Sequence, residues 1–135
     1  LGGDLLSGSL YSLNAGIYLT STASATAKQE DVANPNLIYT SGSNPRWIDD
    51  KHFTLMQGGY PKLTLNMYSV AQKTVDGAVN FYLSTLPELL VWSKYATEIA
   101  LSPDGRHIAF IEFGWVYLAR APHTFPAEGL EVSSR

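Results

Sequence analysis

The sequence predicts an all-β fold, and three observations carry that prediction. Aromatic and β-branched residues recur in short runs. Gly, Pro, Asn, Asp and Ser separate those runs. A strand-like element then returns with a period near 50 residues. Many short strands with frequent turn signals describe a sandwich, a barrel or a propeller.

Candidate strands follow one another along the chain. The first six are Ser9–Leu13, Gly16–Thr22, Leu37–Thr40, Pro45–Ile48, His52–Met56 and Lys62–Val70. The remaining five are Val79–Leu83, Glu88–Trp92, Thr97–Leu101, Arg106–Glu112 and Trp115–Ala119. Between the ninth and tenth, Ser102-Pro103-Asp104-Gly105 makes a tight reversal. Pro103 presets φ for the first central position, Asp104 bonds nearby amides, and Gly105 tolerates the positive φ that follows. In the tenth strand, His107, Ala109 and Ile111 share one face while Ile108 and Phe110 share the other. Both faces are largely apolar, as in a strand covered on both sides.

Helical signals are weak. Thr22–Asp31 has alanines compatible with a turn or two and reads as a surface loop, including the charged Lys28-Gln29-Glu30-Asp31. Tyr82–Tyr95 is interrupted by Pro87. Gln57-Gly58-Gly59-Tyr60-Pro61 reads as a hairpin turn.

The repeat is carried by tyrosines. Gly16-Ile17-Tyr18-Leu19 resembles Gly114-Trp115-Val116-Tyr117-Leu118, with Asn66-Met67-Tyr68-Ser69 between them. Tyr18, Tyr68 and Tyr117 lie 50 and 49 residues apart. Upstream of the last two, Pro45–Leu55 matches Ile99–Phe110 with one residue of slack at the turn. Each copy is strand, acidic turn, strand, which places His52 and His107 in equivalent positions. Asp4, upstream of Tyr18, marks a first copy near the chain start. A period of this size suits propeller blades, which have roughly 40–50 residues and four strands. The expected architecture is one segment, 1–135, forming a partial β-propeller of about three four-stranded blades. The approximate blades are 1–40, 41–95 and 96–135, and a β-sandwich is the alternative.

Glu98–Phe110, followed by Gly114–Leu118, resembles the TolB-type (PD40, WD40-like) propeller repeat. That repeat runs apolar residue, Ser-Pro-Asp-Gly, Lys or Arg, an alternating apolar strand, then Gly and a Val-Tyr or Ile-Tyr strand. Asn44-Pro45-Arg46-Trp47 with Asp49-Asp50 resembles a degenerate copy, with Ile48-Asp49-Asp50 where Ser-Pro-Asp-Gly is expected. The segment Ala71 to Lys94 is longer than a blade needs, and residues 23–36 look inserted. Such repeats occur in the periplasmic TolB protein, in tricorn-like and prolyl-oligopeptidase-type peptidases, and in propellers fused to amidohydrolase domains. Thr97–Ala119 is most similar to the last group. The resemblance implies a propeller, a periplasmic or secreted setting, and no single function.

Composition excludes several classes. The chain has 135 residues, a formal net charge of -3 and 16% charged residues, the last below the roughly 25% of typical domains. No Lys/Arg cluster suggests a phosphate-binding face, so no nucleic acid is expected. The absence of cysteine removes disulfides and thiolate chemistry. No apolar run approaches the roughly 18 residues of a membrane span. Leu1-Gly2-Gly3-Asp4 carries neither an initiator Met nor a signal pattern, so the chain reads as a piece of something longer.

Catalytic patterns are missing. A nucleophile elbow needs Gly-x-Ser-x-Gly, and Gly8-Ser9 and Gly42-Ser43 lack its second glycine. His52, His107 and His123 are isolated, and Asp49-Asp50 sit in a turn where successive side chains diverge. No catalytic, cofactor or metal residue is therefore assigned. Trp47, Trp92 and Trp115, with eight tyrosines and five phenylalanines, read as core between blades, with an exposed ligand platform as the alternative. The function expected is a non-catalytic protein- or peptide-binding or gating module of a larger protein. Alternatives are the propeller of a hydrolase whose catalytic domain lies elsewhere, or a lectin-like sugar binder. Three blades leave apolar end faces open, so self-association or the remaining blades of a parent protein are the expected partners.

Overall fold

A computed structural model describes residues 9–13, 16–20, 36–39, 42–83 and 86–135. The chain is all-β. Its first six strands are β1 (Ser9–Leu13), β2 (Gly16–Thr20), β3 (Asn36–Tyr39), β4 (Ser43–Trp47), β5 (His52–Gly59) and β6 (Lys62–Val75). These are followed by β7 (Ala78–Leu83), β8 (Glu88–Ser93), β9 (Ala96–Leu101), β10 (His107–Glu112), β11 (Trp115–Arg120) and β12 (Leu130–Glu131). Every expected strand has its counterpart. The Thr22–Asp31 stretch, the Leu1–Asp4 start and Gly8 lie outside the described residues.

The described residues form three sheets. The first is the antiparallel meander β1-β2-β3, and the third is the antiparallel meander β9-β10-β11. The second has the order β12-β8-β6-β5-β4, with β7 attached to β6. Its centre, β4-β5-β6-β8, is antiparallel throughout. Among the described residues, no sheet closes into a barrel. Stacked sheets of this kind are common to a partial propeller and a sandwich.

The long segment after residue 70 is filled by a hairpin arm. Polar Gln72, Lys73 and Thr74 continue β6 because β7 folds back on them, with Gln72 opposite Phe81 and Thr74 opposite Val79. Asp76 and Gly77 make the two-residue turn, both at positive φ (52° and 79°). That is the backbone of a type I′ hairpin, for which Asp-Gly is a favoured pair. The β5–β6 hairpin turns at Tyr60-Pro61, whose peptide bond is cis. Glycines 58 and 59 end β5.

Alternation then sorts the side chains. In β5, Phe53 and Leu55 point to one face, and Thr54 and Met56 to the other, yet all four are buried. The second sheet is therefore covered on both sides at this strand. One face packs on the third sheet: Met56, Leu63, Leu65, Leu90 and Val91 share a core with Ala96, Ile99, Ile108, Phe110 and Val132. The opposite face gathers Phe53, Leu55, Tyr68, Val70 and Phe81. The first sheet lies along the second, β1 beside β4 and β3 beside β7. Among the described residues, no helix is long and apolar enough to cross a membrane.

Candidate functional site

The two matched turns share one design. In the later copy, the Ser102 hydroxyl donates to Asp104 Oδ1 at 2.5 Å and accepts from the His107 amide at 3.0 Å. Asp104 Oδ1 also accepts from the Arg106 amide at 3.0 Å. Gly105 follows at φ 73°, and its amide donates to the Ser102 carbonyl. In the earlier copy, Asp49 Oδ1 accepts from the amides of Lys51 and His52, both at 2.8 Å. The connection there is residues 48–51 instead of 102–106, which accounts for the one residue of slack. Asp49 and Asp104 both precede the first residue of the next strand by three. Asp49 caps the strand that begins at His52 directly, whereas Asp104 holds the Arg106 amide and the Ser102 hydroxyl, and that hydroxyl caps the strand at His107.

Both carboxyls are held below the usual aspartate range. At Asp104 the Ser102 hydroxyl is the main cause, joined by the Arg106 amide and the nearby His107 and Arg106 charges, against slight desolvation. At Asp49 burial pushes the carboxyl upward, but the Lys51 and His52 amides and the His52 ring together outweigh it. The His52 ring itself lies 2.8 and 2.9 Å from the two Asp49 oxygens. The equivalent histidines thus differ. His52 is tied to its turn, whereas His107 lines an open cavity of about 330 Å³ with Arg106, Arg120 and Ala121.

The tyrosine repeat also has a structural counterpart. Tyr68 pairs with Phe53 across β5–β6, and Tyr117 with Phe110 across β10–β11. The rings stack at 5.3 Å and 5.4 Å between centroids. Tyr18 stands opposite Tyr11 in the backbone register of the first sheet. The repeat therefore places an aromatic cross-strand pair in the second and third sheets.

Face covering differs between the sheets. In β10, Ile108, Phe110 and Glu112 are buried, but His107 is exposed and Ala109 and Ile111 are only half-buried. The expectation that this strand is covered on both sides therefore fails for β10, whose second face is open; β5 is the strand buried on both faces. The outer face of the third sheet continues with Val116, opposite Ile111, and Leu118, opposite Ala109. These two are 68% and 77% exposed.

The tryptophans do not converge. Trp47 packs edge-on against Phe53, Trp92 carries Lys62 Nζ over its ring at 4.9 Å, and Trp115 is exposed. A further group of aromatic residues converges that has no local signal in the sequence. Tyr60, Tyr95 and Phe113, from three different turns, form a row with centroid separations of 5.6 and 5.5 Å. Arg135 and Lys94 lie against it. The paired acids Asp49 and Asp50 sit in the β4–β5 turn, and Asp49 is occupied as its cap. His123 is exposed in the segment after β11. Among the described residues, no three His, Asp or Glu side chains gather as a metal site would require. No family model, curated protein or solved structure matches the chain.

Proposed function

We propose that the chain is a β-propeller segment that acts without catalysis of its own, as a protein- or peptide-binding module of a larger assembly. One observation carries this. The second sheet is buried on both faces at β5, whereas the third, built on the same turn and aromatic pair, leaves its outer face open at Val116 and Leu118. Exposed apolar residues on a continuous sheet face mark an interaction surface. The repeat supplies the occupant: a further sheet of the same kind, here from a second copy of the chain.

Solution mass by light scattering over a concentration series tests this. The expected result is a dimer or trimer, reverting to monomer in Leu118→Arg. A 14.8 kDa monomer at every concentration, with a single sharp thermal transition, would mean that the chain closes its own core. A compact sandwich would then replace the open segment.

A further inference from the structure

We propose that Tyr60, Lys94, Tyr95, Phe113 and Arg135 form a binding site for an acidic peptide. The site deepens the binding-module function proposed above by naming its ligand class. The residues come from the β5–β6 turn, the β8–β9 turn, the β10–β11 turn and the segment after β12. Folding brings all of them to one end of the second and third sheets. Two of the rings are open to solvent, Tyr60 at 70% and Phe113 at 60%. Phe113 also takes the left-handed backbone conformation (φ 52°), which bulky residues rarely adopt. A strained backbone under an exposed ring points to a use for the ring.

The charge beside these rings is positive. The Arg135 guanidinium lies 5.0 Å from the Tyr95 centroid and 5.1 Å from that of Phe113, and Lys94 Nζ lies 5.4 Å from Tyr95. Neither cation has an acidic partner within ion-pair distance among the described residues. Both line an open cavity of about 490 Å³, in which Glu131 is the one acidic side chain. A guanidinium lying on ring faces keeps its in-plane N–H fork available for a carboxylate. Buried Glu112 accepts hydrogen bonds from the Ser134 amide and hydroxyl, fixing the chain beside Arg135.

A peptide fits better than a sugar acid for one reason. β11 leaves the Phe113 turn as the edge strand of its sheet, so its outer backbone groups can pair with an extended chain laid across the rings.

Fluorescence anisotropy with labelled, capped hexaglutamate tests this, with hexaglutamine and an oligogalacturonate as competitors. We expect hexaglutamate to bind, its affinity to fall as salt rises, and hexaglutamine not to compete. Lys94→Gln, Arg135→Gln and Phe113→Asn should each weaken binding about tenfold or more, with unchanged circular dichroism. Equal competition by hexaglutamine, unchanged binding by all three variants, or stronger binding of the galacturonate would overturn the site as drawn. Light scattering on the same samples separates the two proposals. Oligomers that ignore hexaglutamate remove this site alone, and monomers that bind it remove only the self-association.

Discussion

Phe113 and Gly114 form a two-residue turn with both φ values positive, 52° and 83°. Asn-Gly is the pair such a turn prefers, and a bulky residue at the first position costs on the order of 1 kcal/mol. Phe113→Asn is therefore expected to raise stability by roughly that amount, measured by urea unfolding. A loss of similar size would show that the contact with Tyr95 outweighs the backbone strain. At the same scale, the stacked Phe53–Tyr68 and Phe110–Tyr117 pairs explain why tyrosine recurs. The tyrosines were readable in the sequence as a period, but their partners were not. Phe53 follows His52 directly, whereas Phe110 is three residues beyond His107. Only the register brings each ring opposite its tyrosine.

The elements most readable from sequence are those made by neighbours. Ser102-Pro103-Asp104-Gly105 folds as its residues dictate because every bond in it spans five residues or fewer. Its counterpart at Asp49 lacks the proline and glycine but keeps the carboxylate three residues before the strand, and that carboxylate performs the capping. Both carboxyls titrate below their ordinary value of 3.8. A carboxyl with a depressed folded pKa contributes stability above its unfolded pKa and loses it as pH falls through the folded value. Stability is thus expected to decline as pH drops below about 4. The Asp49→Asn, Asp104→Asn double variant should flatten that decline, as read from urea midpoints between pH 2 and 6. An identical pH profile in the double variant would locate the acid sensitivity elsewhere. The β6–β7 arm was less legible, since the expected strand ended at Val70 whereas β6 runs to Val75. Asp76-Gly77 was the signal available for it. β12 left no trace, because two residues become a strand only by pairing with Val91 and Trp92.

At the scale of the molecule, the third sheet has one face in a shared core and one in solvent. Ile108 has no solvent exposure and packs among residues of the second sheet. Ile108→Ala is expected to cost about 2–5 kcal/mol. Leu118→Ala, on the open face, is expected to stay within about 0.5 kcal/mol in dilute solution. Urea unfolding compares them directly. A large loss at Leu118 would mean that the open face is already covered in the isolated chain, which concentration-dependent midpoints would reveal as self-association.

By itself the sequence determined the all-β class, the positions along the chain of every described strand but β12, and the chemistry of the Ser102–Gly105 turn. These depend on period-two alternation and on bonds between near neighbours, both of which are written along the chain. Tertiary structure alone decided that the second sheet is covered on both faces at β5 and the third on one. It also decided that Tyr60, Tyr95, Phe113 and Arg135 meet. Each of those facts requires residues from separate turns to arrive at one place, and that depends on how sheets pack, a relation that no local pattern records.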